Sequence, residues 1–249
     1  MLTSAGVRLL QYAEKILDLA AEARNAIADD DVPTGTLTIT APETVCAYRL
    51  PVVLERFRSQ FPRVELIFRP LATGEGLEQQ LLEGKADAAL VISEPQQSSS
   101  LVFERLQDEP IHIVTYPGHR LASQRRIALA DLRGETLLLT EAGCSYRSLF
   151  ERILKRVNIC PSTVFEFHSV EAIKQCTLGG LGVAILPDMA VCNEIAAGRL
   201  VALSILGAPM KLVTFLAWHK DKWHSPALRA FLAVTRAILT GADPVNGVG

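Results

Sequence analysis

Apolar residues in the first thirty positions recur at Leu9, Tyr12, Ile16, Leu19, Ala23 and Ala26, alternately three and four residues apart. That spacing keeps one seam along a supercoiled helix. A second stripe runs beside it through Leu10, Ala13, Leu17, Ala20 and Ile27, and Arg8, Gln11, Glu14, Lys15, Asp18, Glu22 and Asn25 fill the opposite face. Thr3 or Ser4 can cap the first free amides. The pattern predicts one long helix, ended by the acidic, Pro- and Gly-containing stretch "ADDDVPTG", which reads as a hinge. An apolar seam must be buried against something, and the length of the helix together with the hinge behind it points to a second copy of the chain.

Beyond the hinge the period changes from helical to strand-like and back. "TLTIT" (36–40), "VELIFRPL" (64–71) and "ADAALVIS" (86–93) read as strands, separated by helices over "YRLPVVLERFRSQF" (48–61) and "EGLEQQLLEG" (75–84). The same order returns in "ETLLLT" (135–140), "SYRSLFERILKRV" (145–157), "STVFEFH" (162–168), "VEAIKQCTLGG" (170–180) and "GVAILP" (182–187). Two such units predict two similar open sheets flanked by helices. "PIHIVTY" (110–116) reads as the strand leading into the second lobe, "RLVALSI" (199–205) and "LVTFLAW" (212–218) as further strands, and "SPALRAFLAVTRAIL" (225–239) as a helix begun by Ser225 and Pro226 that completes the first lobe. The last residues, "TGADPVNGVG", read as a frayed tail.

Composition narrows the class. With 249 residues, 49% of them hydrophobic, the chain can bury a full core. The apolar runs are far short of a membrane span, and the charged first helix is neither a spanning segment nor a signal peptide, so the expected compartment is the cytoplasm, without a membrane partner. Five cysteines, Cys46, Cys144, Cys160, Cys176 and Cys192, form no C-x-x-C pair, which argues against a disulfide framework and against a metal site. A net charge of -2 and a pI near 6.2 supply no basic footprint for duplex DNA.

Ligands of open α/β sheets sit beyond the carboxyl ends of the strands. The first unit offers Pro42, Glu43, Thr44 and Val45 after its first strand and Ser93 with Glu94 after its third. The second offers Cys144, Ser145 and Tyr146 at the matching corner, and Phe167, His168 and Ser169 before "VEAIKQ". Thr44, Ser145 and Ser169 equally suit plain helix caps, and His168 suits an ordinary surface or core imidazole. Glu43 and Glu141 would oppose a bare dianion, and Arg147 or Arg49 could offset them. No G-x-S-x-G elbow, H-E-x-x-H or P-loop is present, and "GGLG" at 179–182 follows a helix and precedes a strand, the reverse of a dinucleotide fingerprint. The sequence predicts neither an enzyme nor a cofactor.

"LTSAGVRLLQYAEKILDLAAEARNAI" resembles the linker helix of LysR-type bacterial transcription regulators, and "LPVVLERFRSQFPRVEL", "LLEGKADAALV" and "SVEAIKQCTLGGLGVAILP" resemble that family's effector-binding domain. The resemblance spans nearly the whole chain. It implies an α/β fold of two Rossmann-like lobes of the periplasmic-binding-protein type (type 2) preceded by a long linker helix. The expected division is 1–33 for helix and hinge, 34–109 with 210–240 for the first lobe, and 110–209 for the second. It also implies a small-molecule inducer in the interlobe cleft, held by the corner residues named above, and self-association into a homodimer or homotetramer. DNA would be bound only by a winged helix-turn-helix expected ahead of Met1. Two rivals are a solute-binding transport protein, which should carry a secretion signal, and a thiol-based sensor of the same family. Cys144 lies where peroxide-sensing members place a reactive cysteine, although no second cysteine follows before Cys160.

Overall fold

The computed structural model describes residues 33–70, 76–124, 126–159, 161, 163–205 and 210–241, together with Thr3, Gly6, Leu9 and Ala13. Most of the seam of the opening helix lies outside the described residues, as do Cys160 and the tail after Gly241. Gly6, Leu9 and Ala13 are helical, and the Gly6 N–H donates to Thr3 Oγ1 at 3.2 Å, the cap that Thr3 offers.

Two sheets of matching design share one strand. β1 (Gly35–Thr40) lies between β2 (Val64–Arg69) and β3 (Ala88–Ser93), parallel to both, and β9 (Lys211–His219) runs antiparallel beside β3. In the second sheet β5 (Thr136–Thr140) lies parallel between β6 (Thr163–Phe167) and β7 (Val183–Pro187), and the antiparallel neighbour of β7 is β4 (Leu101–Thr115). β4 pairs with β9 over Leu101–Pro110 and with β7 from Ile111 onward, while short β8 (Val201–Leu203) flanks it. The chain therefore passes into the second lobe along β4 and returns along β9.

Helices cover both faces, which is why β3 and β7 are apolar almost without interruption rather than alternating. In the first lobe these are α1 (Glu43–Tyr48), α2 (Leu50–Gln60) and α3 (Leu77–Leu82); in the second, α4 (Ser145–Arg156), α5 (Val170–Leu178) and α6 (Asp188–Ala196). The last helix, α7 (Pro226–Thr240), returns to pack on α2 and β1, and Phe231 meets Phe57 edge-on at 5.7 Å between ring centroids. Its start and stop follow from sequence: Ser225 Oγ accepts from the Leu228 N–H at 3.0 Å, Pro226 opens the first turn, and Gly241 ends it at φ +70°. At "GGLG" the glycines do two jobs. Gly180 closes α5 at φ +85°, whereas a Cβ on Gly182 would stand 2.3 Å from the Thr136 carbonyl, so β7 can approach β5 only with glycine there.

The helix expected over 48–61 runs from Leu50 to Gln60 with Pro51 in its first turn, where the missing N–H costs nothing, and the separate short α1 precedes it. Three elements differ from the sequence reading. β4 begins at Leu101 rather than near Pro110; a register shift between Arg105 and Gln107 disrupts its alternation and hides the strand from pattern reading. α6, and a single 3-10 turn at Leu129–Leu132, carry too weak a helical stripe to be anticipated.

At the crossing of the sheets, Glu109 is wholly buried. Arg49 grips it twice, Nε to Oε1 at 3.2 Å and Nη2 to Oε2 at 2.8 Å, while the Thr214 hydroxyl and the Gln107 amide donate to Oε1 at 2.8 and 2.6 Å. The ion pair ties the α1–α2 junction to β4 and β9 where the chain changes lobes. Arg49→Leu leaves the carboxylate buried without its cation, and we expect a loss of about 3 kcal/mol and a fall of roughly 6–12 °C in melting midpoint by calorimetry. An unchanged midpoint would remove the pair from the list of what holds the crossing.

Candidate functional site

The carboxyl ends of the two sheets bring the equivalent corners face to face. Thr44, in the first turn of α1, and Tyr146, in the first turn of α4, approach at 3.5 Å between hydroxyl oxygens, and both side chains are buried. Thr140, at the end of β5, stands against Tyr146 and Cys144, with its hydroxyl shielded and lacking a well-formed hydrogen bond. Ser93 ends β3 where α4 packs on that strand; only 5% of it is exposed, and its hydroxyl has no partner among the described residues. Burial pushes the Tyr146 phenol upward, so it remains a neutral donor.

A second set of contacts crosses the cleft beside these hydroxyls. The Val170 N–H at the head of α5 donates to Glu43 Oε2 at 3.4 Å. Tyr48 donates to Glu171 Oε2 at 3.0 Å and accepts from Lys174 Nζ at 3.3 Å. Lys174 also pairs with Glu171 at 2.8 Å and with Glu194 at 3.5 Å, its side chain only 9% exposed. Tyr48, Glu171 and Lys174 were not singled out from sequence. Lys174 was legible, since it follows Val170 by four residues and precedes Thr177 by three, on the face that α5 buries.

Electrostatically this is an acidic place. Partial burial raises the Glu43 carboxyl, and the charges of Glu141 and Glu171 raise it further against the opposing hydrogen bond from Val170. The arginines that could have offset these charges point elsewhere. Arg147 is held by Glu151 and Glu166, at 2.7 and 2.6 Å, and by the Thr140 carbonyl. Arg49 is spent on Glu109.

The remaining candidates divide. Ser169 is a helix cap, its Oγ accepting from the Ala172 N–H at 3.3 Å, whereas Thr44 and Ser145 make no capping bond. Val45 turns into the hydrophobic core, and Phe167 packs half-buried against the core of the second lobe. His168 is exposed, and Pro42 precedes α1 in extended backbone. Two surface hollows lie outside these corners, one of about 500 Å³ beside Glu78, Ser98 and Phe103 and one of about 310 Å³ beside Leu139, Leu154 and Val164. Among the described residues no group of His, Cys, Asp and Glu is arranged to hold a metal ion, and no helix is long and apolar enough to cross a membrane.

Cys144 stands at the N-cap position of α4 without a side-chain capping bond, and its burial outweighs any activation by the helix. Burial raises its thiol, outweighing the hydrogen bonds that lower it. We expect iodoacetamide to modify Cys144 in the folded chain at neutral pH well below the rate of an unperturbed thiol, read by mass spectrometry of the labelled peptide. Labelling at or above that rate would restore the thiol-sensor reading.

Comparison with known proteins agrees with this architecture. Residues 30–239 match the family model described as the LysR substrate binding domain. The HTH-type transcriptional regulator YwqM of Bacillus subtilis is 44% identical over 236 residues, covering 95% of this chain and 80% of that protein. The regulator GltR of the same organism is 34% identical over 237 residues, covering 94% and 77%. Among solved structures, the regulatory domain of Synechocystis CcmR in complex with 2-PG superposes with a TM-score of 0.72 at 26% identity, covering 83% of this chain and 98% of that one. With a matched family model over most of its length, relatives that are transcription regulators rather than enzymes, and the two-lobed fold of their regulatory domains, this chain belongs to the LysR family as its effector-binding regulatory domain.

Proposed function

We propose that the chain senses a small molecule in the cleft between a first lobe of residues 34–109 with 210–240 and a second lobe of residues 110–209. The observation that carries this reading is the meeting of Thr44 and Tyr146, two buried hydroxyls from equivalent strand-end corners of opposite lobes. An effector entering there replaces a hydroxyl–hydroxyl contact with its own polar groups. Ser93, Ser145 and the backbone from Phe167 to Ser169 complete the ring of contacts.

Signal transfer then follows from differential affinity. An effector that binds one relative setting of the lobes more tightly shifts the population toward it, and a dimer or tetramer joined through the opening helices passes the change to DNA-binding heads. Leu9 supports the pairing role of that helix, being a seam residue that is 71% exposed in the single chain. The setting is the cytoplasm, where a regulator meets both metabolite and DNA. The raised Cys144 thiol disfavours the redox alternative.

The test is a thermal-shift screen of the purified chain against metabolites. An effector at ~100 times its dissociation constant adds about 2.7 kcal/mol to stability, a rise of roughly 5–11 °C in melting midpoint. The rise should vanish in Thr44→Ala and shrink in Tyr146→Phe; a rise that survives both would move the site out of the cleft. Sedimentation of the chain should show a dimer or larger at micromolar concentration, and a monomer at high concentration would take the pairing role from the opening helix.

A further inference from the structure

Resting on the cleft as the effector site, we propose that α1 is an autoinhibitory latch: through Tyr48 and Glu43 it holds the second lobe against the first in the setting where the protein's own hydroxyls fill the effector position.

The latch has two points of attachment, both on α5 of the second lobe. At the last residue of α1, the half-buried Tyr48 donates its hydroxyl to Glu171 and accepts from Lys174, both in the first two turns of α5. Lys174 Nζ also lies 5.4 Å from the centre of the Tyr48 ring. The ring packs against the main core and against the separate cluster beneath α5 and α6. At the first residue of α1, Glu43 Oε2 accepts the Val170 N–H. That amide opens α5, so no carbonyl of its own helix can receive it. One contact would leave the lobes free to turn about it, whereas two, set apart along α1, fix the rotation. Arg49, the residue after Tyr48, is clamped on Glu109 at the crossing, which gives α1 a firm base from which to hold α5.

What the latch holds shut is the site itself. Thr44 stands on α1 between the two attachment points, with its hydroxyl oxygen 3.5 Å from that of Tyr146. No ligand atom fits between oxygens at that separation, so an effector that places its polar groups there has to part the lobes first. The contacts strained by parting are those of α1 on α5. The latch therefore lowers effector affinity in proportion to how strongly it disfavours the open setting. It is also built to release. Lys174 keeps Glu171 and Glu194 when Tyr48 withdraws, so opening strands no buried charge.

The test uses no effector, so its outcome is separate from that of the cleft reading, which stands or falls on the melting screen. Amide solvent-exchange rates are measured by NMR on the whole chain and on Tyr48→Phe, which keeps the ring and removes the hydroxyl. The Val170 N–H, whose bond crosses the cleft, should exchange about fivefold faster in the variant, the factor that one ordinary hydrogen bond supplies. The Ala172 N–H, capped by Ser169 within its own lobe, should keep its rate. Residual dipolar couplings of the two lobes should fit one alignment tensor in the unaltered chain and require two in Tyr48→Phe. Equal acceleration at Ala172 means fraying of α5 and overturns the latch, as does an unchanged Val170 rate or a single tensor in the variant.

Discussion

One strand carries both halves of this molecule. β4 is fifteen residues long, hydrogen-bonds to β9 along its first part and to β7 along its second, and so makes the two sheets continuous at a single crossing. The polar centre of that crossing is Glu109, whose burial is tolerable only because Arg49, Gln107 and Thr214 supply all the donors its carboxylate needs. The cost of a buried charge is turned into position: Arg49 cannot leave, so the α1–α2 junction is fixed beside the crossing, and with it Thr44 and Glu43 at the mouth of the cleft.

From that fixed frame the cleft acquires its character. The lobes meet through hydroxyls, Thr44 to Tyr146, and through a polar strap of Tyr48, Lys174 and Glu171. Such contacts are individually modest and geometrically particular, which is what the proposed exchange with an effector requires. A cleft closed by apolar packing would offer no such exchange. The charge of the site is set further out, by arginines whose preferred partners, Glu151, Glu166 and Glu109, draw them away from it.

Much of the fold could be read along the chain. The repeated strand–helix order, the Ser225–Pro226 start of the last helix and the glycines after α5 are local features, and local physics decides them: capping, the missing proline N–H, the freedom of glycine at positive φ. The family resemblance carried by "LPVVLERFRSQFPRVEL" and "SVEAIKQCTLGGLGVAILP" likewise resides in the sequence. What stayed hidden in the fold, the first half of β4 and helix α6, lay where a register shift or a weak helical stripe erased the period.

The corners at residues 42–45, 93, 144–146 and 167–169 were legible because strand ends are where open sheets bind ligands. Only the tertiary structure decided their roles. Ser169 became a cap and Val45 a core residue, while Thr44 and Tyr146, separated by 102 positions, became neighbours. The destination of Arg147 depends on Glu166 of the adjacent parallel strand, and that of Arg49 on a glutamate sixty residues away. The sequence by itself determined which residue types stand at each strand end, because backbone period and capping act over a few positions. Which charges face the cleft was decided by the tertiary structure alone, because an ion pair answers to distance in space.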